Sequence, residues 1–295
     1  AGRPSAMAAG GAGAAPGPAG RGRGARWAAW GAEVAPRVGL AGFTIASITV
    51  ERTMSQVVNT SCEPRLPRLT AAHCLRLYRR TIAKQTGLAC LQFGGMREAK
   101  LGMDRCQVPP ALSTLLACGL TGVPCSSVQY NWAIQDTYAS FGHRPPQPDS
   151  LAGWCRQKLA PGVAWSFVRA SLTTGSALYL GPPVTACLAS WAGGLGWEPP
   201  AWLARLTAGL LTGSACSMAT QWSHNAALVA GRMAALGERP QAPHYTAVAL
   251  RAAWRELGPS IFYVNGWQRL TINAVSVAVL SFCDIFSHAE LSEWR

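Results

Sequence analysis

Arg80, Arg169 and Arg269 each open an apolar segment, reading RTIAKQTGLACLQF, RASLTTGSALYLG and RLTINAVSVAVLSF. Four residues into these segments stand Lys84, Thr173 and Asn273. A lysine inside apolar sequence is expensive to bury and marks a functional site by default. The other reading is that Lys84 snorkels from a helix end, only four residues past Arg80. His224, in QWSHN at the end of an uncharged run, reads either as a protonatable gate residue or as a hydrogen-bonded interfacial histidine. What these groups offer is charge and hydrogen bonding rather than bond-making. Ser, His and Asp all occur, but no G-x-S-x-G frames a nucleophile. GRGRG and GGAGAAPG lack the strand–helix setting of a phosphate loop. No enzymatic activity is expected. The 10 cysteines include no CxxC pair. Cys90, Cys118, Cys187, Cys216 and Cys283 lie in apolar runs, where a reduced thiol packs as a small hydrophobe. Neither a metal nor a cofactor is expected.

The elements that must position these residues are apolar. Of 295 residues, 49% are hydrophobic and only 13% charged, about half the charge of a soluble domain. That deficit predicts a membrane protein, or a chain embedded in a hydrophobic assembly. The net charge of +13, nearly all of it arginine, would suit anionic lipid headgroups. Nucleic acid is excluded as a partner, because neither a folded basic face nor a stacking platform is legible. Charge-free runs at 38–50, 85–96, 106–135, 170–197, 206–231 and 270–283 give six candidate helices. Three are long enough to span a bilayer outright, and three must extend past a terminal charge. Trp27, Trp30, Trp197, Trp202, Trp222 and Trp267 lie near run ends, as an aromatic belt would.

Breaker-rich stretches precede short amphipathic segments three times. CEPRLPR leads to LTAAHCLRLYRR, GHRPPQPD to SLAGWCRQKL, and GERPQAPH to YTAVALRAAWREL. The order is run, Pro-rich loop, surface helix, run, and such self-similarity implies an internal repeat. Gly209 and Gly213 form a GxxxG step that lets two helix backbones approach closely. The first 32 residues contain no acid, four arginines (Arg3, Arg21, Arg23 and Arg26) and much Ala, Gly and Pro. They read either as the tail of a mitochondrial targeting segment or as a low-complexity leader.

The stretch RELGPSIFYVNGWQRLTINAVSVAVLSF resembles the second half of a mitochondrial carrier repeat through Glu256, Gly258, Tyr263, Gly266 and Arg269. The likeness spans roughly residues 37–287, good in the last repeat, fair in the second and faint in the first. It implies an all-α membrane fold: six transmembrane helices in three pseudo-threefold repeats, with short matrix-side surface helices. The divisions would be 1–36 as an N-terminal extension, 37–105 as a shortened first repeat, 106–198 as the second and 199–295 as the third. Substrate contacts would fall on Lys84, Thr173, Thr174 and Asn273. The carrier gate motif, Pro-x-acid-x-x-base, would fall on Thr49, Glu51 and Met54, then Pro124, Ser126 and Gln129, then Ala219, Gln221 and His224. Only Pro124, Glu51 and His224 keep the motif's character. The first two motifs are 75 positions apart and the last two 95, so the first repeat has lost material.

These departures imply a carrier-like protein of the mitochondrial inner membrane that no longer transports. Its expected role is that of an accessory subunit of a large respiratory-chain or ATP-synthase complex, with membrane lipids and the other subunits as partners. Bound lipid such as cardiolipin is the one non-protein component the likeness admits. The alternative is a divergent but working anion carrier that uses Lys84.

Overall fold

The computed structural model describes residues 28, 30–60, 65–238, 245–283 and 285, and every element among them is helical. The reading of the N-terminal leader falls mostly outside these residues. Helix α1 is Ala35–Thr60, entered through a π turn, Trp30–Val34. Helix α2 is Ala71–Arg105, capped by Thr70, whose hydroxyl accepts the His73 backbone N–H. Helix α3 comprises Pro110–Ala117, a π turn at Cys118–Gly122, and Val123–Ser140. The short α4 is Leu151–Trp154 plus a π turn, Cys155–Leu159. Helix α5 runs as Val163–Gly175, a π turn at Ser176–Leu180, and Gly181–Gly194. Helices α6 (Ala201–Ala219) and α7 (Gln221–Ala235) are separated only by Thr220. Helix α8 is Tyr245–Leu257, followed by a 3₁₀ turn, Gly258–Phe262, and then α9, Gly266–Phe282.

The π turns have a cause in the sequence. Each ends two residues before a proline: Val34 before Pro36, Gly122 before Pro124, Leu159 before Pro161 and Leu180 before Pro182. Proline supplies no N–H and its ring crowds the carbonyl four residues back. The turn ahead of it widens to reach a donor one residue further on.

The long helices close into a ring in which neighbours run α1, α2, α3, α5, α6 with α7, α9 and back to α1. The C-terminal parts of α1, α3 and α7 also meet one another across the middle. Val57, Ile134, Tyr138 and Leu228 pack together there. At the other end Val38, Ala41 and Ile45 of α1 pack on Ala89 and Phe93 of α2 and Leu280 of α9. The closest seam is α6 on α9. A methyl on Gly209 would lie 2.5 Å from Ala278 Cα, and one on Gly213 would lie 2.6 Å from the Asn273 carbonyl oxygen. The GxxxG expectation is met at that seam.

Two of the three expected surface helices are separate elements, α4 and α8. The first is not: LTAAHCLRLYRR is the opening of α2, continuous with the apolar run after it. No Gly or Pro interrupts residues 70–86, so nothing stops the helix between the two segments. Asn131 of α3 donates to the carbonyls of Lys158 (2.9 Å) and Pro161 (3.0 Å), tying down the turn after α4. Asn225 of α7 does the same after α8, through Ile261 (2.8 Å) and Val264 (3.1 Å). The next long helix then starts from a left-handed residue in both places, Gly162 (φ 68) before α5 and Asn265 (φ 60) before α9. Glycine takes that conformation freely and asparagine is among the few others that do.

One described helix, Pro110–Ser140, is long and apolar enough to cross a membrane, with mean hydropathy 1.4 over its best window and 56% of that window buried. Leu112, Leu116 and Leu120 on this helix are exposed, as are Trp191 on α5 and Trp202 on α6. None of the nine described cysteines forms a disulfide.

Candidate functional site

The polar centre of the molecule lies where the C-terminal part of α1, the middle of α3 and the first turn of α7 meet the N-terminal parts of α5 and α9. Arg169, on the second turn of α5, points inward and is 4% exposed. Its Nη2 donates to Ser126 Oγ at 2.6 Å, and its guanidinium carbon stacks 3.7 Å from the centre of the Tyr130 ring. Its Nη1 reaches His224 Nδ1 at 3.5 Å. A guanidinium can only donate, so Nδ1 accepts and the ring proton sits on Nε2. That proton is donated to Gln56 Oε1 of α1 at 3.0 Å. The Tyr130 and His224 rings meet edge-on, centroids 5.6 Å apart. One chain of contacts therefore links α1, α7, α5 and α3.

Arg269, on the first turn of α9, is 1% exposed and donates to the carbonyl (2.8 Å) and hydroxyl of Thr220, the break between α6 and α7. It is close enough to act electrostatically on both Arg169 and His224. Burying one unpaired ion costs several kcal/mol even after relaxation, so two buried guanidiniums within electrostatic range of each other are a demanding arrangement. Asn273, one turn along α9, is 4% exposed with its Nδ2 unpartnered.

Of the gate-motif positions, Ser126 and His224 come together through Arg169. Gln129 contributes its carbonyl, which accepts from Gln85 Nε2 at 2.8 Å. Gln221 turns toward the corner before α9 and donates to the Val264 carbonyl at 2.5 Å. Pro124 sets the π turn of α3. Glu51 stays at the surface beside Arg52 (2.9 Å), and Met54 packs with Val50 and Leu77 between α1 and α2. On α1 it is Gln56, rather than Glu51 or Met54, that faces the other two motifs.

The substrate-contact positions part in the same way. Thr173 Oγ1 donates to the Arg169 carbonyl (2.9 Å) and lies 3.6 Å from Cys216 Sγ. The Thr174 side chain lies outside what is described. Lys84 is not with them. Its side chain is 44% exposed and its Nζ is 3.5 Å from Asp136 Oδ2 and 5.6 Å from the Trp132 ring centre. Asp136 also faces Arg80 at 3.9 Å. The α2 residue that turns inward is Gln85, fully buried. One residue along a helix is a rotation of about 100°, which carries Lys84 off the inner face.

Lys158, on α4 beside this surface cluster, donates to Gln135 Oε1. Burial pushes its ammonium down to about 8; Asp136 opposes that shift and Lys84 adds to it. Among the described residues no group of three or more His, Cys, Asp or Glu gathers as a metal site would. Sequence reasoning singled out Arg169 and Arg269 only as helix openers. Their signal was an arginine inside an otherwise uncharged stretch with Thr or Asn one turn on. Compared with family profiles, curated proteins and solved structures, the chain matches none.

Proposed function

We propose that the chain is a degenerate carrier-like protein of the mitochondrial inner membrane, retained as a transport-inactive accessory subunit of a large respiratory-chain or ATP-synthase complex. Its six long helices would be three repeats, paired as α1 with α2, α3 with α5, and α6–α7 with α9. The reading is supported by the asparagine tie and left-handed helix start that recur in the second and third pairs. The observation that carries the loss of transport is the closed end itself. It is joined by Gln56, Ser126, His224 and Arg169 through hydrogen bonds. A carrier alternates by breaking and remaking charge pairs there, and this centre contains none among the described residues. At the opposite end, the π turn of α5 packs on both α6 and α9. A methyl on Gly181 would lie 3.8 Å from Ser281 Oγ of α9.

Two measurements test the proposal. On a native gel of solubilised inner membranes the protein should migrate with a complex far larger than itself. In liposomes loaded with carboxylates or nucleotides it should show no saturable exchange. Saturable exchange lost in Lys84→Ala would replace this reading with that of a divergent anion carrier.

A further inference from the structure

An accessory role gives no task to the charge buried at the closed end. Arg169 and Arg269 are almost wholly enclosed, and the one charged side chain acting on Arg269 is Arg169. The other influences on the pair come from Tyr130 and Cys216, and no Asp or Glu among the described residues takes part. Four buried nitrogens here have no partner: Arg269 Nε itself, Nδ2 of Asn273 one turn along α9, Nε2 of Gln56, whose oxygen is bonded to His224, and Nε2 of Gln129 on α3; unpartnered oxygens also occur, on Gln85 and Gln221. All four carry N–H groups and donate. Buried donors without acceptors are rare in folded proteins, and here they accompany two enclosed cations. The missing chemistry is an acceptor that bears negative charge.

We propose that this centre binds one small oxyanion, a carboxylate or inorganic phosphate, between Arg169 and Arg269. Planar guanidiniums match the paired oxygens of either group, and the amides of Gln56, Gln129 and Asn273 supply further donors. The Gln56–His224 hydrogen bond joins α1 to α7 beside this centre. The site differs from the set implied by the carrier likeness: it excludes Lys84 and shares only Asn273. It requires no transport.

The test uses the full chain purified in detergent, with inorganic phosphate, acetate and succinate as probes against chloride at equal ionic strength. At an oxyanion concentration well above its dissociation constant, the melting temperature should rise by about 5 °C over chloride. Equilibrium dialysis with labelled phosphate or carboxylate should give one anion per chain. Arg269→Gln should abolish both effects and Arg80→Gln should leave both intact. Because Arg269→Gln also removes the hydrogen bonds to Thr220, Asn273→Ala serves as a milder variant, and it should weaken binding about tenfold. No difference between the oxyanions and chloride, or a shift lost in Arg80→Gln and kept in Arg269→Gln, overturns the site. Binding without flux in liposomes upholds both the site and the accessory role. Binding with saturable flux keeps the site and removes the accessory role.

Discussion

In the first helix pair, α1 and α2, Gly42 lies against Cys90, and a methyl there would meet Cys90 Sγ at 2.6 Å. In the last pair, α6 and α9, Gly213 lies against backbone, with the Asn273 oxygen at 2.6 Å and Ala274 Cα at 2.7 Å. The arginines follow the same division. Arg80 is at the surface with a carboxylate partner, its side chain 60% exposed, whereas Arg269 is sealed among helices without one. Both pairs are built from small residues at the seam and an arginine one turn before a polar side chain. What differs is the segment ahead of the second helix. Before α9 a surface helix and a left-handed Asn265 swing the chain inward. Before α2 there is only a capped start, so α2 runs straight and presents Arg80 and Lys84 outward.

The largest test of this contrast is at the glycines. Gly213→Ala should cost about 3 kcal/mol, the upper range for overpacking, because backbone atoms cannot yield. Gly42→Ala should cost less, about 1 kcal/mol, since the Cys90 sulfur sits at the end of a side chain that can turn and the nearest backbone atom, Cys90 N, is at 3.2 Å. Thermal or denaturant unfolding in detergent measures both. Equal losses would mean that the two seams are equally tight and the contrast is false.

Next in size are the arginines. Arg269→Met keeps the volume and removes a buried, unpaired charge. In buffer free of oxyanions it should stabilise the protein by about 1–4 kcal/mol. Arg80→Met, at the surface, should stay within about 0.5 kcal/mol of the parent. A loss of stability in Arg269→Met under those conditions would show that the hydrogen bonds to Thr220 outweigh the cost of burying the guanidinium.

These tests also mark how far the sequence could be read. The apolar runs at 106–135 and 170–197 locate α3 and α5, and the prolines account for every π turn. RELGPSIFYVNGWQR becomes the corner from α8 through a 3₁₀ turn into α9. The break at Thr220 was not legible, because no Gly or Pro marks it. Nor was the inner face of α1 and α2. Choosing Gln56 over Met54, or Gln85 over Lys84, needs the rotation of each helix about its own axis. Periodicity is weak where both faces are apolar. Arg169 and Arg269 were visible as residues, but their burial follows only from how five helices meet.

A smaller effect belongs to α4, the surface helix that the first pair lacks. The folded value of Lys158, about 8, is below the 10.5 of the free side chain. Between those values the unfolded chain binds the proton that the folded chain releases, so this group's contribution to stability rises with pH from about 8 to 10.5. Lys158→Met should flatten that rise, read as the change in urea midpoint between pH 7.5 and pH 10. An unchanged slope would place the ammonium in water and detach α4 from the Asp136 cluster.

The smallest expected effect is at Lys84. With its side chain 44% exposed and its partner also served by Arg80, the ion pair to Asp136 should be worth no more than about 0.5 kcal/mol. Lys84→Ala should therefore unfold like the parent and leave oxyanion binding unchanged, since neither the central arginines nor their amide neighbours touch it. Lys84→Ala is the substitution that would show most change if the carrier-like contact positions still operated. A tenfold loss of anion binding in that variant would require Lys84 to turn inward, and with it the whole of α2. The first and last helix pairs would then be alike, and the outward register of the first would belong to one state of the protein rather than to its sequence.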